Sequence, residues 1–428
     1  MKRQSFVWCV LVLVGVAVLS VSVAQGATEQ QKRDAIDKGL VWLAQNQQAD
    51  GRWAYGGGGF NENDVAATGA ALLSFLEDKD PVTHAYRFNV GQDVIIGATN
   101  YGKVLDKGIN FIMANSRRAM GAHLAGNPDT NGNGVGVFWG SGEAVYASGL
   151  ASVAISAARA NGYVVASGSE AGRTLGAVIQ DSVDYFAYAQ ADTNTGVYRG
   201  GWRYTAPSTS ADNSTSQWPV VAMMYAQQAG ATVPGFVKTE LQNWVNYIQN
   251  PVSGGAGYDS PGYLVNESKT GGLLVEMAFL GMNLADPKVQ AALNYINNNW
   301  KNTANGTWNG NFGHPYAMWS VYKGLQLYLG LDAVGNITNL HTPQPVDPPN
   351  VWNWHEDYSQ SLVDSQNANG SWGGYAYWNG AMATAWDINI LRGDPVPQEP
   401  IPEPATIVVW SLLAGAGFAL YWRRKRAA

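Results

Sequence analysis

The sequence predicts an all-α fold, an (α/α)6 toroid of six helical hairpins, on three observations. First, a polar-faced helix, a Gly-rich turn and an aromatic recur six times, the turns closing at Trp53, Trp139, Trp202, Tyr258, Trp308 and Trp372. Second, each turn leads into a smoother helix rich in Ala and Gly, apolar nearly all round, as expected of a helix enclosed by others. Third, the chain is 46% hydrophobic and only 14% charged, enough for a large core and too little charge for disorder. Six copies favour closure into a ring; an open solenoid is the alternative, because hairpins also stack linearly.

The elements follow in chain order. Residues 1–27 carry Lys2 and Arg3, an apolar run and small residues, which is the anatomy of a secretory signal peptide. The repeats lie near 30–78, 103–162, 175–234, 236–283, 286–330 and 350–393. In the first, AIDKGLVWLAQNQ places Ile36, Leu40, Leu43 and Ala44 at helical spacing, so one face is buried. Gly51 then breaks the helix and Trp53 covers a neighbouring helix end. The inner helices are expected at 64–76, 143–158, 216–229, 268–282, 316–330 and 380–393. Between repeats five and six the run from Pro343 to Pro349 leaves the tightness of closure open. Residues 394–404 form a linker, and 405–428 an apolar helix ending in Arg423, Arg424, Lys425 and Arg426, short for a span and oriented by its basic cluster.

Composition restricts function. Setting aside the six basic residues of the two tails takes the net charge from −6 to −12, a poor surface for nucleic acid. The only cysteine, Cys9, lies in the signal, so the exported chain has no disulfide, thiolate metal ligand or cysteine nucleophile.

Two resemblances follow from these residues. Lys38-Gly39, Trp42-Leu43, Gln45 and Gly51-x-Trp53 match the QW repeat of squalene and oxidosqualene cyclases, and STSQW at 214–218 is similar to a segment of those enzymes. Residues 30–393 therefore resemble the terpenoid cyclase and protein prenyltransferase superfamily, in which the N-terminal ends of the inner helices surround the cavity. The end of the chain, with Pro402-Glu403-Pro404, resembles the PEP-CTERM sorting tail of Gram-negative bacteria. That resemblance implies an exosortase and the secretion machinery as partners, transient anchoring in the inner membrane, and release to the cell surface or matrix. It also implies proximity to extracellular polysaccharide, since the sorting system accompanies exopolysaccharide production.

The expected cavity residues are Asp64, Glu143, Asp212 or Ser214, Glu267 and His314, where carboxylates sharing a cavity would raise one another's pKa. Helix capping is the competing explanation of the same residues. Trp218, Tyr316, Trp319, Trp378 and Trp386 fall on or near inner helices, where aromatic faces either hold a sugar ring or pack the toroid. His355-Glu356-Asp357 is expected at the surface of the last outer helix. Asp129-x-Asn131-x-Asn133-Gly134 fits the first half of a calcium loop, the one cofactor the sequence suggests, although Gly140 stands where a bidentate Glu is needed.

The chemistries implied by the resemblance each lack a required group: there is no Asp-x-Asp-Asp, no Asp/Cys/His zinc set, and no Cys-Gln thioester pair. The sequence therefore favours a monomeric exported toroid that binds a glycan or serves a structural role without that chemistry. A carbohydrate lyase or hydrolase using the acidic cavity, and a terpenoid cyclase-like isomerase, are the alternatives. A filled interior would favour the scaffold, and an apolar tunnel a lipid.

Overall fold

The computed structural model describes residues 26–56, 63–306, 308–341, 353–393 and 397. Twelve α-helices occur among them, paired along the chain: α1 (Glu29–Asn46) with α2 (Asp64–Leu76), α3 (Tyr101–Ala114) with α4 (Ala144–Ala157), and α5 (Leu175–Ala189) with α6 (Asn213–Gln228). Then come α7 (Gly235–Ile248) with α8 (Glu267–Phe279), α9 (Pro287–Asn299) with α10 (Pro315–Leu329), and α11 (Trp354–Ser365) with α12 (Gly380–Arg392). Two short antiparallel ladders, β1 (Ile95–Ile96) with β2 (Thr99–Asn100) and β3 (Arg117–Arg118) with β4 (Val137–Phe138), sit in the loops of the second repeat.

The even-numbered helices pack in order, α2 on α4, then α6, α8, α10 and α12, and α12 returns to α2. This closed cycle is the inner ring, and the odd-numbered helices lie outside it. Every residue of α2 and α4 is buried, which explains why their sequences show no polar face. Small residues set the spacing: a side chain at Gly149 would meet Trp218 Cβ at 2.5 Å and its carbonyl carbon at 3.0 Å, so α4 and α6 approach backbone to backbone. The inner helices run parallel. At one end Asn63, before α2, donates to Glu143 at the start of α4; at the other, Arg392 of α12 donates to the Ser74 carbonyl of α2.

The repeated turn is a fastener. Trp53, Trp139, Trp202 and Trp372 each donate an indole N–H to a carbonyl of the preceding outer helix at 2.7–2.8 Å, while their backbone N–H groups donate to Thr68, Ser148, Ser216 and Thr384 of the inner helix. A glutamine at the end of the outer helix then donates both to its own turn and to the next outer helix. Gln47 reaches the carbonyls of Gly51 and Val104, Gln190 those of Gly200 and Val237, and Gln249 those of Gly254 and Lys288. Gln366 reaches Gly370 and Ala35, so repeat six is clasped to repeat one by the same bond. The adjacent Gly370 has φ +93°, and a side chain there would lie 2.5 Å from the Lys38 carbonyl, so only glycine fits this closure.

Three expectations are corrected. The fastening glutamine of the first repeat is Gln47, at the helix end, and Gln45 is exposed. In repeat four Ala256 takes the turn position, its N–H donating to Thr270, and Tyr258 belongs to the loop beyond. In repeat five the buried indole is Trp300, which donates to Asp357, while Trp308 is 44% exposed. Residues 1–25 of the expected signal peptide, Pro402, Glu403, Pro404 and the expected C-terminal helix lie outside the described residues. No helix among the described residues is long and apolar enough to cross a membrane.

Candidate functional site

The parallel inner ring gathers its N-termini into one mouth, and the acidic residues expected there are present but individually engaged. Asp64 accepts the Tyr55 N–H at 2.7 Å and pairs with Arg52 at 2.9 Å. Glu143 accepts from Asn63 at 2.6 Å. Glu267 accepts from Asn302 at 2.7 Å and from the Gly310 N–H at 3.4 Å. Asp212 caps α6 through the Thr215 N–H, accepts from the Ser214 hydroxyl, and meets Arg203 at 3.1 Å. Burial raises the Asp212 pKa, against the lowering effect of Ser214 and Arg203. His314 caps α10 through the Ala317 N–H, and burial lowers its pKa to about 4, so the ring is neutral. Asp212 and His314 thus act as helix caps, while Asp64, Glu143 and Glu267 make no cap and are held by side chains and N–H groups from the surrounding turns and helix starts.

Deeper along the axis the ring is packed with its own side chains. Trp218 of α6 stacks on Trp386 of α12 at 5.9 Å between centroids, with Tyr146 edge-on at 5.3 Å and Tyr316 at 5.8 Å. Among them lies Lys323 of α10, fully buried, its Nζ 4.2 Å from the Trp218 ring centroid and 5.4 Å from that of Trp319. Its polar neighbour is Gln217, whose Oε1 accepts from Lys323 at 3.3 Å and from Ser320 at 2.8 Å, and whose Nε2 donates to Tyr316 at 2.7 Å. Burial holds the Lys323 pKa well below the usual lysine value. Two further acids, Glu276 of α8 and Asp387 of α12, are buried with carboxylate oxygens that meet no partner, and burial raises both pKa values well above normal.

Of the expected aromatics, Trp218, Tyr316, Trp319 and Trp386 are therefore core, and only Trp378 reaches the rim. There it stacks on Tyr316 at 4.6 Å and lies edge-on to Trp308 at 5.5 Å, while Trp308 stacks on Tyr377 at 5.1 Å. Trp308 and Tyr377 are 44% and 39% exposed. Trp308 also has φ +67°, a left-handed conformation that costs a bulky residue free energy and that commonly accompanies function. A bare stacked pair of rings at the mouth of a ring of helices offers a platform for an apolar ring face.

The remaining candidates sit elsewhere. His355 and Asp357 are buried, against the expected surface position: the His355 ring contacts the Ile390 carbonyl at 2.7 Å, and Asp357 accepts from Trp300 and the His341 N–H. Glu356 pairs with Lys32 of α1, tying the outer ring shut. In the Asp129 loop the oxygens of Asp129 accept the N–H groups of Gly132 and Gly134, and the amides of Asn131 and Asn133 donate to Asp181. No group of three or more His, Cys, Asp or Glu side chains among the described residues is arranged to hold a metal. Sequence reasoning passed over Lys323, Glu276 and Asp387, although each is the lone charge inside an apolar stretch of an inner helix, the signal that could have found it.

No family model matches the chain, and no curated protein does. Among solved structures it is similar to a variant of the type II terpene cyclase MstE from Scytonema, in complex with its product merosterolic acid A. The two share 11% identity over 85% of this chain and 97% of that one, with a TM-score of 0.48. The closed ring described above stands on the helix contacts themselves.

Proposed function

We propose that this protein is an exported toroid of the cell surface or matrix that binds an extracellular glycan at the mouth of its inner ring, without cyclase or prenyltransferase chemistry. The observation that carries this reading is the Trp308–Tyr377–Trp378 platform: Trp308 and Tyr377 stacked and exposed, the half-buried Trp378 edge-on beneath Trp308, and Trp308 held in a strained backbone conformation. Sugar rings present C–H faces that pack on such platforms, and their hydroxyls suit the polar groups around the mouth. Support against an alkene-cyclising reaction comes from the axis, where Trp218, Trp386, Gln217 and Lys323 fill the hub with protein. A neutral amine in that place would also capture the proton such a reaction must deliver to the alkene, and an ammonium would repel the carbocation that follows.

Affinity electrophoresis in gels cast with neutral polysaccharides tests the reading. The wild-type protein is expected to be retarded by at least one polymer. Trp308→Ala should lose at least about fivefold in affinity, since ring stacking of this kind contributes on the order of 1–3 kcal/mol when measured with nucleic-acid bases. Equal migration of the two proteins in every gel would remove the platform from the account.

A further inference from the structure

A second site lies away from the platform, between repeats one and two. A cleft of about 640 Å³ opens between the turn carrying Asp50 and Arg52, the second half of α3, and the loops at Gly140 and Ser167. We infer that this cleft takes an acidic sugar unit, with Arg117 receiving its carboxylate. The inference uses the glycan reading above for the polymer class, and its own geometry for the charge.

The charges decide it. Arg52 is committed: it donates to Gln48 at 2.8 Å and to Asp64 at 2.9 Å, and stands 3.4 Å from Asp50. Arg117 lines the same cleft with an exposed side chain that meets no carboxylate among the described residues, while its backbone is fixed in β3 opposite Phe138. A guanidinium held on a strand, facing a cavity and lacking a partner, matches a carboxylate in a bidentate geometry. Around it stand the half-buried Phe111, which can lie against a sugar ring, and Asn115, whose Oδ1 is free to accept while its Nδ2 donates to the Phe111 carbonyl. Asp50 supplies an acceptor for hydroxyls. A neutral sugar would leave Arg117 unused; a phosphate or sulfate alone would leave the ring and amide surface unused.

The neighbouring Arg118 shows what a structural arginine looks like here. It is locked to Glu170 at 2.7 Å and to the Ser169 carbonyl, one residue along the same strand. Among the described residues Arg117 has neither kind of bond, so its guanidinium is left to face the cleft.

Isothermal titration of the whole purified protein with tetragalacturonate, with the matched neutral tetrasaccharide and with inorganic phosphate tests the assignment. Saturable binding of tetragalacturonate is expected, weakened about tenfold by Arg117→Gln and by a rise in salt, and little changed by Trp308→Ala. Arg117→Gln leaves the backbone pairing intact, and an unchanged unfolding midpoint confirms that it folds. Binding that Arg117→Gln leaves intact overturns the assignment, as does equal binding of the neutral tetrasaccharide. Full displacement by phosphate at matched ionic strength also overturns it, by reducing the cleft to a simple anion site. Failure here with retention on neutral gels would leave the rim platform standing, and the reverse result would leave the cleft standing.

Discussion

Lys323 carries the least expected chemistry of any single residue. A lysine whose folded pKa is lowered is protonated more in the unfolded chain, so stability rises with pH as the folded pKa and then the ordinary value of 10.5 are approached. Lys323→Met should therefore raise the thermal midpoint at neutral pH, with the gain shrinking towards pH 10, as read by calorimetry. Glu276 works in the opposite sense. Its folded pKa is raised above the ordinary 4.5, so from about that pH upward the unfolded state releases a proton the folded state keeps, and stability falls as pH rises. Glu276→Gln should remove this slope: the wild type should lose stability relative to the variant as pH rises above the ordinary value of 4.5. Coincident pH profiles would mean that Glu276 is solvated in the folded protein.

At the scale of the element, the hairpin fastener explains why Gln, Gly and Trp recur at fixed order. The indole ties a turn to the helix before it, the hydroxyl of the inner helix holds the turn's backbone, and the glutamine carries the tie to the next repeat. Gln366→Ala cuts two backbone acceptors from the clasp between the last repeat and the first, and should cost about 1–3 kcal/mol in urea unfolding. A cost as small as that of an exposed position such as Gln45→Ala would mean that closure is held by the inner helices alone. These elements were legible in the sequence because period and composition encode them: the inner helix expected at 64–76 is α2, and that expected at 316–330 is α10 shifted by one residue. The exceptions have local causes. Repeat four replaces the turn Trp with Ala256, which keeps only the backbone bond to Thr270 and so leaves no aromatic to read. Repeat five moves its buried indole back to Trp300, and the positive φ that exposes Trp308 is a property of the backbone that spacing does not carry.

For the whole molecule, the closed ring of helices among the described residues leaves two kinds of surface at the mouth: acids engaged by neighbouring side chains and N–H groups, and exposed aromatics. Asp64, Glu143, Glu267 and His314 stand at helix starts, but burial and pairing, which decide their chemistry, depend on turns and neighbouring helix starts that spacing does not reveal. Arg52 and Asn302 come from turns, and Asn63 from the neighbouring helix start. The hub was less legible still, since Trp218, Trp386 and Lys323 are distant in the chain and meet only when the ring closes. The same closure gives the platform and the cleft separate addresses, so a polymer with neutral and acidic units could engage both.

Glycan-array binding of the wild-type protein beside Trp308→Ala tests the central claim most directly. The account predicts that the wild type binds at least one class of polysaccharide and that the variant's signal on it drops at least about fivefold at equal folded concentration. An array on which the wild type binds nothing, or on which the two proteins give the same signal throughout, would contradict it.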